Sequence, residues 1–157
     1  MGIVLYRLDD RLIHGQVVEG WFHHIRPDLV VVADDAAAGD EFHKSLMEIV
    51  VPFGVRSEIL PIREAVDRVT NGAYGPNRGI MLFRFPRDVL RALGMGLTME
   101  RLNLGGLHSD GKTRVLGKGI NASTQDLRDL QEIVHQGVKV EICPVPSEPV
   151  VDLRHLL

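Results

Sequence analysis

At 157 residues, 45% hydrophobic and 25% charged, the chain has the size and composition of one soluble domain, residues 1–157, with a sizeable core. A net charge of −3, no basic run and few aromatics argue against a nucleic-acid binder that neutralises phosphates or stacks bases. Apolar runs such as "LVVVA" are too short to span a bilayer. "MGIVLYRLDD" lacks the basic start and long apolar stretch of a signal peptide, and it lacks the Ser or Thr of a myristoylation motif. The one cysteine, Cys143 in "VKVEICPVP", points to a reducing cytoplasm and a buried structural thiol.

Strand-like and helix-like segments alternate along the chain. "IVLYRL" is the first strand. Val17, Val18, Trp21, Phe22 and Ile25 recur at helical spacing, so a helix follows His14, with Trp21 on its core side. "DLVVVAD" is a continuously apolar strand of the kind buried on both faces of a parallel sheet. Phe42, Leu46, Ile49 and Val50 mark a second helix, and "VRSEIL" a third strand. Pro61 opens a helix carrying Ile62, Ala65, Val66 and Val69. "GIMLFRF" is the fourth strand, and Pro86 starts a helix with Val89, Leu90 and Leu93 inward. "RLNLGG" is a short fifth strand. The turn-rich "HSDGKTRVLGKGIN" holds an extra strand around Thr113 to Leu116. Ser123 and Asp126 form a capping box ahead of Leu127, Leu130, Ile133 and Val134. "VKVEIC" is a late strand, and Ser147 caps a final short helix running to Leu157.

This order implies an α/β fold: an open, mostly parallel sheet with helices on both faces and one antiparallel strand. Function in such folds sits beyond the carboxyl ends of the strands. Asp9 and Asp10 end the first strand and Asp34 and Asp35 the second. Arg84 lies near the end of the fourth, and Gly105 and Gly106 end the fifth. The chemically capable residues therefore gather on one edge.

The densest group is "LDDRLIHG". A helix start offers unpaired N–H groups and a favourable dipole to an anion, worth roughly 0.3–1 kcal/mol where exposed. Arg11 adds a charge-assisted contact, and Gly15 permits close backbone approach. His14 sits among these donors. Neutral imidazole is a nucleophile toward phosphorus, and an aspartate can fix its tautomer through the other ring nitrogen. Asp10 is the better candidate for that role, and Asp9 can equally orient Arg11. Leu12 and Ile13 flank the turn and serve either partner docking or core anchoring. The turn reads as a carrier site at which histidine accepts and passes on a phosphoryl group. The blander alternatives stay open: a turn histidine that only hydrogen-bonds, and a solvated ion-pair cluster.

Other features carry less. His23 and His24 are adjacent at a helix end, which suits cations near the helix dipole better than a metal. His43, His108, His135 and His155 lack zinc-site spacing, although His108 follows Gly106 and is kept as a candidate near the site. Lys112 and Thr113 in "DGKTR" suit a turn with a solvated lysine better than a phosphate loop. Paired aspartates after two strands also suit Mg²⁺, as in a receiver-like signalling domain. "VRSEILPI", however, offers no phospho-accepting aspartate after the third strand. A regulatory binder or carrier without a permease is a further alternative.

"RLDDRLIHGQV" resembles the active-site segment of the IIB components of the mannose/fructose/sorbose class of bacterial sugar phosphotransferase systems. The similarity continues through "VVVADDAAAGD", "IMLFRFPRDVLRALGMG", "LNLGGLHSDGKTRVLGKGINAS" and "LQEIVHQGVKVEICPVP", nearly the whole chain in order. The resemblance implies an open α/β sheet and a phosphotransferase subunit. Its histidine, by position His14, takes phosphate from a phosphohistidine of a IIA partner and passes it to sugar entering through IIC and IID membrane partners. It further implies that Arg11 and the loop cradle the phosphate, with Asp10 supporting. Asp9, Leu12, Ile13, Gly15, Gly105 and Gly106 would complete the loop. No metal or cofactor is implied. The chain would be cytoplasmic and held at the inner membrane face by its partners; a homodimer stays open.

Overall fold

The computed structural model describes residues 1–157. β1 (Gly2–Asp9) leads into α1, residues 15–25, a helix interrupted by a π turn at Val18–Phe22. β2 (Leu29–Ala33) is followed by a single turn, α2 (Asp35–Ala38), and by α3 (Glu41–Val50). Then come β3 (Arg56–Leu60), α4 (Ile62–Thr70), β4 (Arg78–Phe83) and α5 (Pro86–Gly94). β5 (Arg101–His108), β6 (Thr113–Gly117), β7 (Ile120–Ser123), α6 (Thr124–His135), β8 (Lys139–Ile142) and β9 (Val151–Asp152) complete the chain.

The nine strands form one sheet in the order β3-β2-β4-β1-β5-β7-β6, with β8 beside β5 and β9 beside β8. All pairs are parallel except β6 with β7 and β8 with β9. α4, α5 and α6 bury their apolar stripes on one face, against Leu8, Met81 and Leu104. α1 and α3 cover the other, against Val30, Val32 and Ile80. The connection leaving β1 thus runs over one face and the connection leaving its neighbour β4 over the other. The carboxyl ends of β1 and β4 form the crevice where α/β sheets bind ligands, and residues 10–14 lie there.

Apart from the final helix, the predicted strands and helices are present, and the Ser123–Asp126 capping box closes reciprocally. Four local features differ from the sequence reading. Ser147 caps no helix: the C-terminus pairs as β9 and ends in a single 3-10 turn at Leu153–His155, capped by Asp152. The alanine run after Asp34 folds into α2, because the Asp34 carboxylate accepts the Ala37 N–H at 2.9 Å. The extra strand has its own partner, β7, in a hairpin closed at Gly119, whose φ is +73°. On α3 only Met47 is buried, so Phe42, Leu46 and Ile49 face solvent. No helix is long and apolar enough to cross a membrane.

Candidate functional site

Strand alternation sends Leu8 into the core and both Arg7 and Asp9 to the opposite face. A buried guanidinium needs paired, hydrogen-bonded surroundings, and Arg7, with no exposed surface, has them at both Nη nitrogens while its Nε finds no acceptor. Its Nη2 donates to Asp9 Oδ2 and to the Pro144 carbonyl, each at 3.0 Å. Its Nη1 donates to Asn103 Oδ1 and, at 3.2 Å, to the Cys143 carbonyl. The Trp21 ring lies 5.3 Å from the guanidinium carbon. Trp21 in turn donates from Nε1 to the Pro144 carbonyl at 2.9 Å. Burial lowers the Arg7 pKa, and the adjacent Asp9 charge opposes that shift.

Space for Arg7 comes from β5. Leu8 aligns with Leu104 but Asp9 with Gly106, so Gly105 is a bulge. A Cβ at Gly105 would overlap the Arg7 guanidinium, and one at Gly106 would stand 2.7 Å from Asp9 Oδ1. Gly105 and Gly106 were expected to line a phosphate. Their observed contribution is room for the side chains of Arg7 and Asp9.

Asp9 is the hub. Oδ1 accepts Arg11 N–H and Nε–H, both at 3.1 Å. Oδ2 faces Arg7 Nη2, Arg11 Nη2 at 3.1 Å and His14 Nε2 at 3.1 Å. Burial alone would raise the Asp9 pKa. Hydrogen bonds from His14 and Arg11 and the Arg7 charge outweigh it and hold the carboxyl well below its usual range. A folded pKa below the unfolded value of about 3.9 adds stability that is complete above that pH and is lost as pH falls below it. The urea stability gap between the wild-type chain and Asp9→Asn is therefore expected to shrink between pH 7 and pH 3. A gap that stays constant would assign the carboxylate no role in stability.

The turn itself is fixed from below. Leu12 N–H donates to the Asp9 carbonyl at 2.9 Å, and Leu12 adopts φ +58°, a left-handed conformation uncommon for a residue with a side chain. Complete burial of Leu12, with Ile13 beside it, holds that backbone in place. The side chains of both residues anchor the turn in the core. His14 is the N-cap of α1 but bonds no helical N–H with its side chain, which is turned to Asp9. The first N–H groups of α1 therefore lack helical acceptors beside the ring. A Cβ at Gly15 would meet nothing within 4 Å, so the space before them is open. Arg11, its side chain 39% exposed, braces Gln16 through Nη1 at 2.9 Å.

Asp10 is not the partner of His14. It accepts the His108 N–H at 2.6 Å and faces His108 Nδ1 at 2.8 Å, while its own N–H donates to the Gly106 carbonyl. The pair ties the end of β1 to the end of β5. The assignment changes because strand alternation turns Asp9, not Asp10, to the face where α1 begins. The second aspartate pair is likewise committed. Asp34 caps α2 and binds Arg84 at 3.0 Å, and Asp35 accepts the Ile62 N–H and binds Arg91 at 3.0 Å. His14, Arg11 and Asp9 are together; Asp10 and His108 lie next to them; Asp34 and Arg84 form a separate pair. Arg7, Gln16 and Asn103 were missed. The signal for Arg7 was a charged residue two positions before Asp9 in a strand otherwise apolar.

Residues 3–157 match the family described as the PTS system sorbose subfamily IIB component. The fructose-specific EIIB component of Bacillus subtilis is 29% identical over 157 residues, covering 100% of this chain and 96% of that protein. The mannose-specific EIIAB component of Escherichia coli is 30% identical over 158 residues, which make up 49% of its length. The crystal structure of the IIBSor domain of the sorbose permease from Klebsiella pneumoniae superposes with a TM-score of 0.90. It is 31% identical, over 98% of this chain and 94% of that one.

Proposed function

The chain belongs to the sorbose-subfamily IIB components of the sugar phosphotransferase system, phosphotransferase subunits, and on that footing we propose that His14 is its phosphoryl acceptor. The observation that carries the reading is the 3.1 Å contact between His14 Nε2 and a buried Asp9 carboxylate. A carboxylate there favours the imidazole tautomer with its proton on Nε2 and leaves the lone pair on Nδ1. Nδ1 is then the nucleophile. As its bond to phosphorus forms, the donor's nitrogen–phosphorus bond breaks, and the ring gains positive charge that Asp9 offsets. The three phosphoryl oxygens take Arg11 and the first N–H groups of α1. Arg7 holds Asp9, and Gly15 leaves the approach open.

The same reading names the partners. A phosphohistidine IIA protein supplies the group, in keeping with the EIIAB relative that contains a match to this whole chain. A sugar held by a IIC/IID permease receives it, and attachment to the inner membrane face comes through those partners. The sorbose, fructose and mannose specificities of the relatives differ among themselves, so the acceptor class is a hexose or similar sugar and no single one is favoured.

Labelling from a phosphorylated IIA donor tests the reading. The expected label is acid-labile and base-stable, sits on Nδ1 by nitrogen-resolved NMR, and persists in Asp34→Ala. A base-labile label marks an aspartyl phosphate and overturns the histidine; a label on Nε2 overturns the Asp9 geometry.

A further inference from the structure

β1 and β5 are in register only through Arg7, Leu8 and Asp9; toward their N-terminal ends the strands part. The opening is a cavity of about 600 Å³, within the range of small-molecule sites. Trp21, Asn103 and Cys143 form its buried floor, and Tyr6 and Met99 stand in its apolar walls. The rim is acidic. Arg101 is matched by Glu141 at 3.0 Å, which leaves Glu100 as a charge with no ion-pair partner. An occupant that suits these walls has a ring-sized apolar body and one cationic group.

The floor is also the seat of Arg7. The Asn103 side chain and the Cys143 carbonyl both accept from Nη1. Trp21 lies against the guanidinium and holds the Pro144 carbonyl that accepts from Nη2. The π turn in α1 contributes here. It contains Trp21 and Gly20, where a Cβ would crowd Pro146 at 3.3 Å, so α1 lies close against the segment that carries these carbonyls. An occupant touching Trp21 and Asn103 thus touches the groups that position Arg7, two contacts away from His14.

We propose that this cavity is a regulatory site for a small aromatic amine, and that its occupancy reaches His14 through Arg7 and Asp9. The second part rests on the carrier reading of His14; the first does not. The coupling is expected to be modest, because the route runs through packed groups that shift little.

Trp21 is the only tryptophan, so tryptophan fluorescence comes from one ring on the cavity floor. Titration with 2-phenylethylamine is expected to give a saturable change, and phenylacetate, an anion of similar size, to bind at least ten-fold more weakly. Glu100→Gln should weaken the amine five-fold or more. Val150→Phe, at an exposed lining position, should block it with the melting temperature retained. No saturable change, or equal responses to amine and acid, overturns the site. In a second arm, saturating amine should change the rate of phosphoryl uptake from a IIA donor three-fold or more in the wild-type chain and not in Val150→Phe. Binding without a rate change overturns the relay. A chain that takes up no phosphoryl group in the absence of amine instead overturns the carrier reading, and the fluorescence arm still decides the site.

Discussion

His14→Ala is expected to take up no label from a phosphorylated IIA donor, a loss of at least about a thousand-fold, on the scale of removing a nucleophile. The fold should survive. His14 is the N-cap of α1 yet caps no N–H with its side chain, so alanine removes no cap. The lost Asp9 contact leaves that carboxylate with four other donor bonds, from Arg7 and Arg11. The stability cost is then about 1.5–3 kcal/mol, the range of one hydrogen bond to a charged group. Circular dichroism and urea unfolding supply that control. Label that survives in His14→Ala would remove the residue from the reaction. Asp10→Asn is the informative companion. It breaks the tie to His108 without touching His14, so it should slow transfer far less than Asp9→Asn. Equal losses would restore the pairing expected from the sequence.

Arg7→Met should be the most destabilising single change at the site. It removes the fully buried partner of a fully buried carboxylate, and breaking such a pair from one side costs about 3–5 kcal/mol. That is a large part of the 5–15 kcal/mol typical of a domain. Much of the penalty is the stranded charge of Asp9, so adding Asp9→Asn should return part of it. A double-mutant cycle by urea unfolding measures the coupling. Additive losses would show that the two side chains do not act as a pair. Gly105→Ala attacks the same seat from the other strand, since its Cβ overlaps the guanidinium. It should displace Arg7 and lower both stability and transfer.

The architecture was legible because each element carries its own instruction. The uninterrupted apolar run of β2 is buried at every position, and Pro86 and Ser123 begin their helices as their chemistry requires. The position of the candidate turn was legible too, since His14 and Arg11 stand where a strand gives way to a helix. What the sequence hid depends on distance along the chain. Asp9 and Asp10 are chemically identical neighbours, and only the facing strand separates their roles: Gly106 makes room for one, His108 holds the other. The seat of Arg7 joins residues about a hundred positions away. The Ser147 helix failed because a two-residue pairing with β8 outweighed a local capping preference. The α3 stripe has good helical spacing, but spacing does not say whether a stripe meets a core.

Asp9 lies between two guanidiniums, which sets the charge immediately against His14. With a neutral imidazole, Arg7, Arg11 and Asp9 together carry one net positive charge. A phosphoryl group brings about two negative charges and reverses that sign. An empty carrier therefore attracts a phosphorylated donor electrostatically, and a loaded one repels the next. On the proposed carrier role, the exchange of partners at this turn acquires a direction from charge. It should weaken with ionic strength, since at 0.15 M salt the field reaches only about 8 Å.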